Sequence, residues 1–229
     1  MYKSAYLIGN LLLAIIWLVL FFKRKDLRKE QLFVSIISGI FAPITDYFIF
    51  YGDYWRPEYL FSINLNGVHI GFESPLCGFL IGGITAILYE SFFRKRQSYS
   101  KPRNFLGFVI LVSILLGMIL LNKLGINSVW ASSITLLVSS LVMILIDGVL
   151  IKDAIWSSIL FTILVFGLYS LWFFSYPEAL NRFWLTGNMS GSKFGLIPIE
   201  ELIWFFSAGT SLGILYEFWR NVKKYSKKR

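Results

Sequence analysis

The chain has 229 residues, of which 56% are hydrophobic and 18% are aromatic, and its formal net charge is +9. Cys77 is the only cysteine and there is a single histidine, which excludes an internal disulfide and a metal site built from histidines or thiolates. No Gly-x-Gly-x-x-Gly or P-loop pattern is present, so the sequence indicates no flavin or nucleotide fold.

Seven apolar stretches, each about 20 residues long and almost free of charge, are typical of transmembrane helices. Their approximate bounds are 4–22, 32–51, 70–93, 105–121, 128–150, 154–174 and 196–219. The first ends in a basic cluster and is long enough to stay as a helix rather than be removed as a signal. We therefore predict an all-α integral membrane protein with seven transmembrane helices in a single membrane domain, residues 1–229.

The basic residues are distributed unevenly between the two ends of these spans. All but five of the 22 Lys and Arg residues follow the first, third, fifth or seventh span; the exceptions are Lys3, Arg56, Lys123, Arg182 and Lys193. This positive-inside pattern predicts a protein of the cell membrane with its N-terminus outside and its C-terminus in the cytoplasm. It also indicates that the excess positive charge meets anionic lipid, and not nucleic acid.

Two parts of the chain resemble each other. Residues 70–96 align without a gap with residues 197–223 at an offset of 127, the difference between 73 and 200. The aligned pairs include Glu73 with Glu200, Phe79 with Phe206, Gly82 with Gly209, and Ile87-Leu-Tyr-Glu90 with Ile214-Leu-Tyr-Glu217. We interpret this as an internal duplication. The two copies are residues 4–96 and 128–223, approximately, and a linker helix at about 104–122 joins them. Three helices per repeat and one linking helix give both repeats the same orientation, so the predicted architecture is two parallel three-helix repeats.

Several polar residues interrupt the predicted spans. Asn10 is typical of a helix–helix contact. Asp46 is an ionisable group in a hydrophobic run, which makes it a candidate for function, with a boundary residue that reaches headgroups as the alternative. His69 would share a helix face with Glu73 if the third helix began early. Asp147 is expected to form a structural ion pair.

The third and seventh spans share two further features. Each has a small-residue face, and these faces predict that the two helices pack together or near each other: Gly78-x-x-x-Gly82-x-x-x-Ala86 and Gly209-x-x-x-Gly213. Each also ends in an acid with a basic residue one turn away, for which pairing is the expected explanation: Glu90 with Arg94, and Glu217 with Arg220.

The acids at the start of these two spans have no Lys or Arg within four positions on their own helices; they are Glu73, Glu200 and Glu201. Burial disfavours the charged form of a carboxyl, and a protonated carboxyl can protonate an alkene. A second, ionised carboxylate can later remove a proton, and aromatic faces can stabilise the carbocation in between. These groups suit a redox-neutral cyclisation of a long apolar polyene.

Two motifs carry a resemblance to a known family. Pro198-Ile-Glu-Glu-Leu-Ile-Trp-Phe-Phe206 is similar to the Pro-x-Glu-Glu-x-x-x-Phe signature of the membrane-integral, flavin-independent lycopene cyclases, which occur as two small subunits or as their fusion. Asp46 followed by Gly52-Asp-Tyr-Trp55 is similar to their Asp…Gly-x-Trp segment. The resemblance implies a lycopene β-cyclase type of intramolecular lyase or isomerase, which needs no cofactor or metal and takes a lipophilic polyene from the bilayer. Protein partners stay open between a homo-oligomer and carotenoid-pathway enzymes.

The resemblance also implies roles for individual residues. Glu200 or Glu201 would be the acid that protonates the terminal alkene, and Glu73 or Asp46 would be the base or a tuning charge. The expected substrate contacts are aromatic: Tyr54, Trp55, Trp204, Phe206 and Phe79.

The chain departs from the family pattern in its first half. Gly71-Phe-Glu-Ser74 lacks the proline and the second acid, and the family's Pro-Trp-Asp reads Pro43-Ile-Thr-Asp46. These departures favour an alternative function, a non-catalytic membrane protein that binds a carotenoid or another isoprenoid. A transporter is a third reading, because parallel repeats and intramembrane charges also occur in transporters.

Overall fold

The computed structural model describes residues 2–93, 96–99 and 101–225. The chain is mostly helical, and the predicted apolar stretches correspond to long helices because such segments must satisfy their backbone hydrogen bonds internally in lipid. The α-helices in the described residues are α1 Ala5–Lys23, α2 Arg28–Thr45, α3 Glu73–Phe93, α4 Asn104–Lys123, α5 Ser128–Ile146, α6 Ile151–Ser175, α7 Ala179–Phe183 and α8 Ile199–Arg220. A π-helical turn, Asp46–Phe50, extends α2.

Short antiparallel strand pairs lie at the helix ends. The pairs are β1 Ser62–Leu65 with β2 Val68–Gly71, β3 Arg96–Tyr99 with β6 Val222–Tyr225, and β4 Lys193–Phe194 with β5 Ile197–Pro198. The first hairpin turns at Asn66 and Gly67, whose φ angles are 52° and 86°, as the Asn-Gly type of hairpin turn requires. The first and last of these pairs lead directly into α3 and α8, so a hairpin precedes each of these two helices.

Six helical segments of the described chain are long and apolar enough to cross a membrane. They are Tyr2–Lys23, Lys25–Phe50, Glu73–Phe93, Asn104–Lys123, Ser128–Ile146 and Gly148–Ser175, and they correspond to the first six predicted spans. α8 is not among them: besides the buried Ser207, Thr210 and Ser211, it has acids at both ends, which are Glu200, Glu201 and Glu217. The all-helical membrane class agrees with this pattern, while a seventh crossing by α8 stays a prediction.

Helices α3 and α8 form the centre of the bundle. Almost every residue from Leu80 to Glu90 in α3 and from Ser207 to Phe218 in α8 is buried. α3 packs against α1 and α2, α8 packs against α5 and α6, and the two central helices also pack against each other. The contacts are thus alike in the two halves of the chain, as a duplication would produce, and the duplication stays a prediction.

The small-residue faces serve contacts within each half. A Cβ on Gly82 would lie 2.4 Å from Ser38 Oγ of α2, and one on Gly209 would lie 2.5 Å from Ser158 Cα of α6. The prediction that α3 and α8 pack together is confirmed. Their glycine faces, however, mainly contact α2 and α6, because these are the helices that approach most closely.

Two predicted polar contacts are confirmed, and one expectation is wrong. Asn10 Nδ2 donates to the carbonyl oxygen of Glu73 at 2.9 Å, and Asp147 pairs with Arg103 at 3.1 Å. His69 does not share a helix face with Glu73, because residues Val68–Gly71 form a strand and α3 begins only at Glu73. The expected partner of Glu90, Arg94, lies outside the described residues.

The close approach of α8 to α6 predicts a stability effect at Gly209. Gly209→Ala places its methyl group against the Ser158 backbone, and such overpacking destabilises by about 1–3 kcal/mol. Gly167→Ala in α6 is the matched control, because a Cβ there meets nothing within 4 Å. We expect the melting temperature of the detergent-solubilised protein, followed by tryptophan fluorescence, to fall only for Gly209→Ala. Equal melting temperatures for the two variants would contradict this packing.

Candidate active site

A cavity of about 200 Å³ lies inside the bundle. Its walls come from all the long helices, α1 to α6 and α8, and from the segment after α2, and they are mainly aliphatic and aromatic, with Phe41, Ile114 and Met118 among them. Among the described residues, two carboxyl groups reach this cavity, those of Asp46 and Glu201. Asp46 comes from the first half of the chain and Glu201 from the second.

Glu201 lies in the first turn of α8, where Pro198 ends the preceding extended segment. Its carboxyl group accepts hydrogen bonds from three aromatic side chains. Tyr54 OH and Trp184 Nε1 donate to Oε1 at 2.7 and 2.9 Å, and Tyr169 OH lies 3.3 Å from Oε2. Hydrogen bonds to the charged form of a carboxyl stabilise that form, so these three donors counteract part of the penalty of burial.

Two loops bring these donors together. The first loop is residues 51–61, after α2, and the second loop is residues 176–192, after α6. The backbone N–H of Leu185 donates to the carbonyl oxygen of Tyr54 at 2.9 Å, and the rings of Trp55 and Trp184 are 4.3 Å apart. Because the loops pair directly, a side chain from each half reaches the same carboxyl group.

The environment of Tyr54 favours its neutral phenol. Burial raises the pKa of Tyr54, and the negative charge of Glu201 raises it further. Burial likewise raises the pKa of Tyr59, with Asp46 as the next contribution. Both side chains therefore keep their O–H donors well into the alkaline range.

Asp46 lies where α2 changes into the π-helical turn, three residues after Pro43. Proline removes a helical hydrogen bond, and π-turns inside helices are frequent at functional sites. Ser74 Oγ donates a hydrogen bond to Asp46 Oδ2, and Tyr59 OH lies 3.5 Å from the same oxygen. Asp46 thus has two hydroxyl partners, whereas Glu201 has three donors.

Glu73 and Glu200 do not line the cavity. Glu73 Oε1 accepts the backbone N–H of Leu60 in the first loop at 2.8 Å, and Glu200 Oε1 accepts that of Ser190 in the second loop at 2.6 Å. These aligned acids therefore do the same structural task, which is to hold the loop that precedes their helix. Consecutive residues of a helix point about 100° apart, which explains why Glu200 faces a loop and Glu201 faces the cavity.

The predicted aromatic contacts divide in the same way. Tyr54, Trp55 and Trp204 line the cavity. Phe79 instead packs against Trp17 with ring centroids 5.3 Å apart, and Phe206 is 39% exposed on the outside of α8. The structure does not bring these two phenylalanines to the carboxyl pair.

Four contacts of the carboxyl pair were not found from the sequence. They are Ser74 and Tyr59 at Asp46, and Tyr169 and Trp184 at Glu201. The offset of 127 places Ser74 on Glu201 and was the available signal for the first. Nothing in the local pattern distinguishes Tyr169 or Trp184 from the other aromatic residues of this membrane chain.

A second acidic cluster lies away from the cavity. Glu30, Glu90 and Glu217 are buried, and carboxyl oxygens from all three lie within 4.8 Å of one another. Among the described residues, this is a group of acids whose oxygens are close enough together to share a metal ion. Glu90 and Glu217 are 17 residues beyond Glu73 and Glu200, or about 25 Å along their helices, so the cluster takes no part in the cavity.

The family match follows the two halves of the chain. A family model described as "Lycopene cyclase" matches residues 3–92 and 127–219. The chain belongs to the lycopene cyclase family. Asp46 lies in the first stretch that matches the lycopene cyclase family and Glu201 lies in the second. The connecting helix α4 lies outside both stretches. No curated protein and no solved structure matches the chain.

The raised pKa of Tyr54 predicts how stability responds to alkaline pH. The pKa of Tyr54 in the folded state is above the unfolded value of about 10. The contribution of the neutral phenol to the free energy of unfolding is therefore fully present below pH 10. It is lost as the pH rises further, by about 1.4 kcal/mol per pH unit. Tyr54→Phe should therefore lower stability near pH 8, since one donor to Glu201 is gone, and should make the decline above pH 10 less steep. Melting temperatures of both proteins between pH 8 and 11.5 test this. Parallel curves would contradict it.

Proposed function

We propose that this protein is a lycopene cyclase-like enzyme of carotenoid biosynthesis that closes β-ionone rings at polyene ends without a redox change. The observation that carries this proposal is the cavity itself, which is apolar and aromatic and is reached by two carboxyl groups from opposite halves of the chain. An apolar cavity suits a hydrocarbon, and the only ionisable groups that acid-initiated cyclisation requires are a proton donor and a proton acceptor.

The reaction proceeds by proton transfer at each end. A carboxyl group protonates the terminal alkene, and the positive charge forms on the neighbouring carbon. The π electrons of a second alkene then form the ring bond, and loss of a proton restores a double bond. The product is an isomer of the substrate, so the enzyme has the character of an intramolecular lyase or isomerase.

The residues that support this chemistry are those at the cavity wall. Asp46 and Glu201 serve as the acid–base pair, and Tyr54, Trp55 and Trp204 form its aromatic surface. Aromatic faces attract cations, and an apolar lining offers few hydrogen-bond partners to a water molecule that could capture a carbocation. Glu73 and Glu200 contribute indirectly, by holding the two loops that cover this end of the bundle.

We further propose that the protein lies in the cell membrane with its N-terminus outside, as the distribution of basic residues favours. The substrate then arrives from the bilayer, where a C40 hydrocarbon dissolves. The similar packing of α1–α3 and of α5, α6 and α8 supports an origin by duplication.

Expression in bacteria that accumulate lycopene tests the function directly. We expect the extracted pigments to contain cyclised carotenoids, resolved by column chromatography and identified by their absorption and mass. An inactive protein that is folded in the membrane and co-purifies with carotenoid would contradict the enzyme and favour the carotenoid-binding alternative.

The aromatic wall makes a second prediction. Trp204→Leu should reduce ring formation by roughly 30-fold, since a desolvated cation–π contact contributes about 2 kcal/mol and about 1.4 kcal/mol corresponds to tenfold in rate. Trp156→Leu is the matched control, because Trp156 is 43% exposed and packs on Phe93, away from the cavity. Ring formation should be measured per unit of folded protein in membranes. Equal losses in both variants would contradict a role for Trp204 at the reacting carbon.

A further inference from the structure

We propose that the two cavity acids have fixed and different roles: Asp46 carries the proton that starts the reaction, and Glu201 stays ionised and receives the proton that leaves the ring. This assignment rests on the proposed function and deepens it. It differs from the expectation drawn from the family resemblance, in which Glu200 or Glu201 is the proton donor and Glu73 or Asp46 is the base or a tuning charge.

The hydrogen bonds of Glu201 favour its carboxylate. An indole N–H can only donate, so Oε1 accepts from Trp184 whatever the charge of Glu201, and Tyr54 donates to the same oxygen. Tyr169 is placed to donate to Oε2. A protonated Glu201 would keep the two donors at Oε1 but would make Tyr169 the acceptor of its proton. The anion is the form in which all three aromatic side chains donate, and we assign that form to Glu201.

The surroundings of Asp46 accommodate a proton. The hydrogen bonds of Asp46 in the described chain involve Oδ2 alone, with Ser74 as the close partner and Tyr59 at 3.5 Å. A serine hydroxyl donates to a carboxylate or accepts from a carboxylic acid equally well. Asp46 can therefore change its charge without the loss of its closest hydrogen bond.

Both acids reach one apolar cavity, and the described residues around it include no Lys, Arg or His. Without a positive charge nearby, burial disfavours the charged form of a carboxyl group unless hydrogen-bond donors offset it. Glu201 has three such donors, so the proton is assigned to Asp46.

The proposed step balances in protons and electrons. The Asp46 O–H bond breaks, its proton bonds through the alkene π electrons to the less substituted carbon of the terminal alkene, the positive charge forms on the other alkene carbon, and Asp46 becomes a carboxylate. The second alkene closes the ring and moves the positive charge onto a ring carbon. A neighbouring C–H bond then breaks, its electron pair becomes the ring double bond, and Glu201 takes the proton. Transfer of that proton from Glu201 to Asp46 restores the starting state.

The two roles predict different products in the lycopene-accumulating strain. Asp46→Asn removes the initiating proton, so ring formation should fall by at least about 100-fold, as for loss of a general acid, and lycopene should remain. Glu201→Gln leaves initiation intact but removes the specific acceptor. Rings should still form, more slowly, with the double bond shifted to neighbouring positions because other protons are lost instead.

Matched controls use acids in structural ion pairs. Asp147→Asn affects the pair with Arg103, and Glu178→Gln affects the pair with Arg182; both should give wild-type products. Asp46→Glu retains a proton donor and should retain β-ring products at a reduced rate. Cyclised carotenoid from Asp46→Asn, or only lycopene from folded Glu201→Gln, would overturn the assignment. Unchanged lycopene with the wild-type protein would instead reject the proposed function.

Infrared spectroscopy of the purified protein tests the charge states without turnover. At neutral pH a protonated-carboxyl band should disappear in Asp46→Asn, shift in Asp46→Glu and persist in Glu201→Gln. A band that disappears in Glu201→Gln and persists in Asp46→Asn would reverse the roles, whether or not the protein cyclises lycopene.

Discussion

Burial of carboxyl groups in an apolar helix bundle is the constraint on which this structure depends. A buried carboxyl group needs hydrogen-bond partners to offset the loss of water. The protein supplies them in three ways: loop N–H groups for Glu73 and Glu200, aromatic donors for Glu201, and a serine hydroxyl for Asp46. The loops, the starts of α3 and α8 and the shape of the cavity all follow from these contacts. Stability and chemistry thus depend on the same few atoms.

The two halves share a framework but differ at the cavity. Glu73 and Glu200 occupy aligned positions and both hold a loop, whereas the next aligned pair, Ser74 and Glu201, differs in chemistry. Ser74 donates to the acid of its own half, and Glu201 is itself an acid. The asymmetry gives one cavity with two unlike carboxyl groups, in place of two equivalent sites.

The sequence was a good guide to whatever depends on local pattern. Long apolar runs gave the positions of the helices, the Asn10 contact and the Asp147 ion pair were anticipated, and three of the five predicted aromatic contacts line the cavity. The predicted start of the third helix, residue 70, is too early, because Val68–Gly71 pairs with Ser62–Leu65 as a strand and α3 begins at Glu73. Pairing with another segment is not visible in the local apolar pattern. The distinction between Glu200 and Glu201 depends on the rotation of α8 relative to its neighbours. Tyr169 and Trp184 reach Glu201 through tertiary packing that no spacing rule describes.

The paired loops have a consequence for how the site is put together. Tyr54 belongs to the first half of the chain, and Glu201, Tyr169 and Trp184 belong to the second. Neither half alone contains the complete set of donors around Glu201, and neither contains both acids. The polar lining of the cavity is therefore assembled from both halves of the chain. A covalent link between them, such as α4, ensures that the two contributions are always made in equal number.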